Sequence, residues 1–286
     1  VHADGTTEAF AGEGTLYGGY ALRTRTRSNG VGGFGAYVAR GDEIEGESHL
    51  PAPDFRTSSA RWLRAGGAPK VARIVPGFVL SGENTTLTVE GVELPDVAAA
   101  DVKFAGGIVD VLTAKRIAPH AIELTVRSRA RDVAVARVSI KGIDASTVTL
   151  APRIDHIAIT PAMGRARLSG GIHYPAEGVQ FEAIAYAKSG AGKNAKATPL
   201  GPVAATFRLA EERTRPDDDD LRWLGAIRPN GTYVPAGDYR PNPKRNYSTE
   251  NSGLVKVIAR YQRGGRTHTA QALLAVTMPD FIARLR

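Results

Sequence analysis

The chain has 286 residues, 42% of them hydrophobic and 23% charged, with a formal net charge of +8; that length suits two or three domains, each with its own core. It contains no cysteine, which excludes disulfides, thiolate metal sites, a cysteine nucleophile and covalent haem attachment through C-x-x-C-H within these residues. No apolar run approaches the ~20 residues of a membrane helix.

Glycine (32) and proline (17) are plentiful, and helical periodicity is hard to find, which favours short strands joined by turns. The opening VHADG carries Val1 and Ala3 at the small-residue spacing of a signal-peptidase site. A chain starting at or beside a cleavage point is therefore expected. Residues 1–68 read as a small β-barrel or sheet unit, whole or truncated. GTLYGGYALRTRTR and GGFGAYVARGDEIEGES read as strands on either side of Ser28-Asn29-Gly30, and Leu16, Gly18, Tyr20 and Leu22 alternate with polar partners at period two. The paired glycines Gly18-Gly19 and Gly32-Gly33 suggest bends or bulges. Arg23, Arg25 and Arg27 alternate along one stretch, and Arg127, Arg129 and Arg131 along another. Alternation places each set on the outer face of a sheet. No RNA-binding aromatic signature accompanies them, so a nucleic-acid partner is not expected.

From residue 69 to 152 the strand-sized pieces become regular: PKVARIV, TTLTVEG, GIVDVLTAKRI, AIELTVRS, VAVARVSIKG and ASTVTLAP. Short strands at turn-punctuated spacing predict an immunoglobulin-like sandwich, and the opening resembles the IPT/TIG class of such domains. Residues 153–286 continue in the same style, with long polar loops at 189–198 and 237–252. The fold class expected for the whole is all-β: the small barrel or sheet unit, then two immunoglobulin-like sandwiches.

Within that last unit three stretches, read together, resemble the C-terminal domain of the alpha subunit of quinohemoprotein amine dehydrogenase. They are ITPAMGRARLSGG (159–171), GVQFEAIAYAKSGAGKNAKATPLGPVAATFRLAE (178–210) and LGAIRPNGTYVPAGDYRPNPKRNYSTENSGLVKVIARY (224–261). The order of Gly164-Arg165-Ala166-Arg167, Gln180-Phe181-Glu182-Ala183, Asn242-Pro243 and Asn251-Ser252-Gly253 carries the likeness. By position, the middle unit fits the family's preceding immunoglobulin-like domain. The di-haem cytochrome c domain of that subunit has no counterpart here, since cysteine is absent. The resemblance implies a periplasmic, secreted, non-catalytic scaffold. It would hold the other chains of a redox complex, namely a quinone-bearing small subunit, a β-propeller subunit and a cytochrome c chain. Haem c and a tryptophan-derived quinone would then sit on those partners, with no cofactor and no catalytic residue in this chain. A free-standing periplasmic or cell-surface immunoglobulin-like module that binds protein or glycan is the alternative. For it, Tyr239, Tyr247 and Tyr261 are the candidate aromatic platform.

Local chemistry adds little to this. The six histidines (His2, His49, His120, His156, His173, His268) form no H-x-H, H-x-x-x-H or H-E-x-x-H spacing. His156 beside Asp155 invites a general-base reading, outweighed by that of a strand residue. RLSGG at 167–171 lacks the first glycine of G-x-S-x-G, and GAGKNAK fails the phosphate-loop pattern. Three N-x-S/T triplets begin at Asn84, Asn230 and Asn246, and Asn230-Gly231 is better read as hairpin chemistry. The run Asp217–Asp220 is the one cluster of charge. Successive residues of an extended chain point to opposite sides, so at most two could face one ion. That makes Asp217 and Asp219 the calcium candidates, against an acidic surface turn balanced by Arg213, Arg215 and Arg222. Trp223, next in the chain, is expected on a strand in the core.

Overall fold

The computed structural model describes residues 11–28, 31–41, 43–50, 56–64, 66–168, 176–190, 195–236, 242, 244 and 253–278. The described chain is all-β. Its first strands are β1 (Ala11–Tyr17), β2 (Ala21–Ser28), β3 (Val31–Arg40), β4 (Glu43–Leu50) and β5 (Arg56–Leu63). They lie side by side in chain order as one five-stranded sheet. The alternation expected through Leu16, Gly18, Tyr20 and Leu22 is broken by the turn at 18–20 that joins β1 to β2, but a two-residue period is visible in β3. Gly33, Gly35 and Tyr37 are buried while Phe34, Ala36 and Val38 face solvent. Tyr37 packs on Trp62, with ring centroids 4.5 Å apart. Gly35 and Gly46 leave the room that the Tyr37 ring occupies, because a Cβ at either would lie within 2.5 Å of that side chain.

The next strands are β6 (Lys70–Val75), β7 (Phe78–Leu80), β8 (Asn84–Val92), β9 (Val102–Phe104), β10 (Val109–Ala118), β11 (Ala121–Ser128), β12 (Ala134–Ile140) and β13 (Ile143–Ala151). They form two four-stranded sheets, β10-β11-β8-β6 and β7-β13-β12-β9. Strict alternation aims Leu87 and Val89 of β8, Ile122, Leu124 and Val126 of β11, Val138 and Ile140 of β12, and Val148 and Leu150 of β13 into one shared core. Nearly all of these side chains are fully buried. Each inward residue comes from a two-residue period, and two such faces closing on one another make a sandwich. Arg127 and Arg129 project outward, as alternation predicts. Arg127 donates to the Gly82 carbonyl (3.2 Å) and Arg129 pairs with Asp110 (3.0 Å).

The remaining strands are β14 (His156–Thr160), β15 (Met163–Arg167), β16 (Val179–Gln180), β17 (Glu182–Ser189), β18 (Lys196–Val203), β19 (Thr206–Glu211), β20 (Gly225–Ile227), β21 (Thr232–Pro235), β22 (Gly253–Arg263) and β23 (Arg266–Thr277). They build a β15-β23-β22-β19 sheet and two three-stranded sheets, β14-β17-β18 and β16-β21-β20. β15 joins its sheet parallel to β23, with Gly164 opposite Leu274. By compactness the chain divides into two units. One holds Val1–Trp62, Ile159–Glu182 and Ala204–Arg286; the other holds Leu63–Ala158 and Ala183–Val203.

Candidate functional site

The acidic run lies between β19 and β20. After Glu211 the chain makes a turn in which the Asp218 amide donates to the Arg215 carbonyl (3.3 Å). The Asp218 carboxylate folds back over that turn. It accepts from the Thr214 amide (2.7 Å), the Thr214 hydroxyl (2.8 Å), the Arg215 amide (2.8 Å) and Arg215 Nε (3.2 Å). Its side chain is fully buried. Burial opposes ionisation, but the Thr214 hydroxyl, the two backbone amides and Arg215 outweigh it and hold the pKa at about 2, against an ordinary 3.8. A carboxyl depressed in the folded state stabilises the fold fully above its unfolded pKa and loses that contribution as pH falls through the folded one. We therefore expect an acid-stability slope between about pH 4 and pH 2, measured by urea titration at stepped pH. An Asp218→Asn variant should be less stable at neutral pH and should flatten that slope. An unchanged slope would remove Asp218 as its source.

Asp217, in the turn, and Asp219, after it, approach one cation, and that cation belongs to the protein. Lys244 Nζ lies 3.8 Å from the Asp217 carboxylate and 3.4 Å from that of Asp219, and also donates to the Asp217 carbonyl (2.7 Å). A calcium ion at this pair would have to displace that ammonium. Burial works against ionisation of Asp219, yet the Asn242 amide, Lys244 and the nearby Trp223 indole together hold its pKa below the usual carboxylate value. Trp223 is not the strand residue expected from the sequence. Asp220–Arg222 forms a 3-10 turn, which leaves Trp223 half-buried with the Arg222 guanidinium 5.4 Å above its ring. Leu224 takes the core position instead.

Asp220 is the inward member of the run and is fully buried. One carboxylate oxygen accepts from Asn242 Nδ2 (2.7 Å) and the other from the Leu254 amide at the start of β22 (2.9 Å). Its own amide donates to Glu211 Oε1 (2.9 Å). Asn242, also fully buried, divides its amide between Asp219 and Asp220 and accepts from the Lys244 amide (3.0 Å). Three chain segments far apart in sequence thus meet on one carboxylate. The alternation argument had no means of singling out Asp220, because its burial depends on Asn242 and Leu254. Asn242 in RPNPK was visible only as part of the family likeness.

Several other residues of that likeness are packing residues, whereas Arg165 and Glu182 are exposed and Pro243, Asn251 and Ser252 lie outside the described residues. A Cβ at Gly164 would lie 2.5 Å from Phe181 Cζ, and one at Gly253 would lie 2.7 Å from Leu224 Cδ1 and 3.0 Å from the Asp220 carboxyl carbon. Gln180 Nε2 donates to the carbonyls of Phe181 (2.9 Å) and Asn230 (3.0 Å), while its Oε1 accepts from the Thr232 hydroxyl (2.6 Å). Asn230-Gly231 belongs to the β20–β21 hairpin, as expected, but only Gly231 has a positive φ (89°). Its amide donates to the Arg228 carbonyl (2.9 Å), and its own carbonyl accepts from the Phe181 amide (2.9 Å). Nearby, the buried Tyr233 hydroxyl donates to the Leu224 carbonyl, and burial pushes its pKa up.

Elsewhere the sequence candidates are spread apart. Asp155 pairs with Arg153 (2.8 Å) and accepts from the Lys188 amide (2.7 Å). Against the cost of burial, these contacts hold its pKa low. Its neighbour His156 stacks on Tyr186 at 5.0 Å. His268 stacks on Tyr261 (6.4 Å) and His49 on Phe34 (5.0 Å). His2, His173, Tyr239, Tyr247, Asn246 and residues 169–171 lie outside the described residues. Tyr261 is 9% exposed, a core residue more than a platform. Among the described residues no three His, Asp or Glu side chains are grouped to hold a metal ion. No described helix is long and apolar enough to cross a membrane.

Residues 157–284 match the family model described as quinohemoprotein amine dehydrogenase, alpha subunit domain IV. Among curated proteins none matches the chain in sequence. Similar solved structures include a titin fragment (14% identity, 74% of this chain and 97% of that one, TM-score 0.24) and mouse protocadherin-24 EC1-3 (10% identity, 86% and 79%, TM-score 0.26). A SusE-like, surface-located polysaccharide-binding protein from the heparin utilisation locus of Bacteroides thetaiotaomicron also aligns (10% identity, 90% and 42%, TM-score 0.22). Scores this low carry no argument about the present chain.

Proposed function

We propose that this chain is a non-catalytic scaffold subunit of a periplasmic, quinohemoprotein amine dehydrogenase-like redox complex. Its units, taken as 1–68, 69–152 and 153–286, would hold a quinone-bearing small subunit together with a β-propeller and a haem-bearing cytochrome c chain. The observation that carries this reading is the domain IV match over residues 157–284. The described residues of the fingerprint support it further, since Gly164, Gln180, Phe181, Asn242 and Gly253 act through packing and internal hydrogen bonds. The acidic corner works in the same sense, because Asp218, Asp219 and Asp220 all accept from the protein's own donors. With no cysteine in these 286 residues, c-type haem would be covalently held outside them.

Affinity purification of the tagged protein from its native cells, followed by native mass spectrometry, tests the proposal. The expected result is a complex that also contains a haem-bearing chain and a quinone-bearing small chain. Recovery of a stable, unaccompanied protein would overturn it, and binding on a glycan array would then favour the free-standing module.

A further inference from the structure

The N-terminal sheet carries a charge pattern that the scaffold reading does not use. Directly opposed residues share a face, and the registers run Thr15–Arg23–Ala36–Glu47 and Ala21–Val38–Glu45 across β1 to β4. Phe34 falls between Arg25 and His49 on the same face. This face is open: Phe34 is 56% and Val38 40% exposed, and Arg23, Arg25, Ala36, Glu45 and Glu47 are exposed as well. A shallow groove of about 610 Å³ runs along it past Tyr17, Arg23, Arg25 and Phe34. Arg23 sits 5.9 Å above the Tyr17 ring, and neither Arg23 nor Arg25 has a carboxylate within ion-pair range among the described residues. Across the central strand the sign reverses. β4 presents Glu43, Glu45 and Glu47; Arg61 pairs with the first two (2.6 and 3.3 Å), and His49 lies 3.9 Å from the third.

From β2 to β4 the order across this face is basic strand, apolar strand, acidic strand, with Glu13 of β1 directly opposite Arg25. We propose that it docks a second copy of this chain, face to face, about a two-fold axis running along the strands. That operation returns β3 onto β3 and sets β2 of one copy over β4 of the other. Arg23 then lies over Glu47 twice, with Arg25 over His49 and diagonal to Glu47, and Glu45 diagonal to Arg23, around an apolar centre of Phe34, Ala36 and Val38. A two-fold across the strands would set arginine on arginine, so the charges select the axis. Five strands about 4.8 Å apart and about eight residues long give a flat footprint of about 500 Å², a small interface and hence a concentration-dependent one. The inference stands apart from the redox-complex reading.

The test is sedimentation equilibrium of the full chain over a range of concentration and salt. Wild type should self-associate to a dimer that weakens as salt rises. The double variants R23E/R25E and E45R/E47R should each lose about tenfold or more in association constant, while circular dichroism confirms that both remain folded. Mixed together, they should recover a heterodimer, because one then presents two acidic flanks and the other two basic ones. Three results would overturn the proposal: a monomeric wild type at the highest concentration, variants that dimerise like wild type, or a mixture that stays monomeric.

Discussion

Replacing Asp220 by alanine is expected to cost about 3–5 kcal/mol of stability, the largest effect of any single change in the acidic run. The carboxylate is fully buried and receives the Leu254 amide and the Asn242 side chain. Alanine would strand both donors where water does not readily reach them, and each stranded group costs about 1–3 kcal/mol. Asn242 would also lose the partner that fixes its amide between Asp219 and Lys244. Asp220→Asn should be milder, since it keeps one acceptor, but its amide would oppose one of the two donors. Asp217→Ala is the control. Its side chain is 68% exposed, with Lys244 3.8 Å away, so the change should stay within about 0.5 kcal/mol. Urea unfolding followed by Trp223 fluorescence, in a Trp62→Phe background, measures all three. Equal costs at positions 220 and 217 would show that the buried junction does not hold β22 to the corner.

Truncation of Phe181 to alanine is the second large effect, at about 3–5 kcal/mol. This ring is fully buried and fills the space left by Gly164, where a Cβ would approach to 2.5 Å. Gly164→Ala should therefore destabilise the wild type through overpacking and cost much less in a Phe181→Leu background. A double-mutant cycle is expected to return a coupling of about 1–2 kcal/mol, as for residues in direct contact. Additive costs would mean that the glycine and the ring are independent, and the fingerprint GRAR…QFEA would need another explanation.

These two experiments fall on residues that the chain alone displayed very differently. The all-β class and the middle sandwich were legible from local pattern, because a two-residue period fixes which side chains share a face. Leu87, Val89, Leu124 and Val138 behave as that period requires. Asp217 and Asp219 share Lys244, but Asp217 stands in a turn where that rule does not apply. Trp223 escaped it, since a 3-10 turn at Asp220–Arg222 breaks the alternation before the strand begins.

By itself, then, the sequence determined the strand character, the alternation of faces, the lack of any cysteine chemistry and the family likeness of its last unit, all properties of neighbouring residues. Only the tertiary structure decided what the four aspartates do. Asp220 becomes a buried junction because Asn242 and Leu254, 22 and 34 residues away, bring donors to it. Lys244 becomes the cation of Asp217 and Asp219 by the same return of the chain. A carboxylate's environment is set by whatever folds back against it, and periodicity carries no record of such long-range partners.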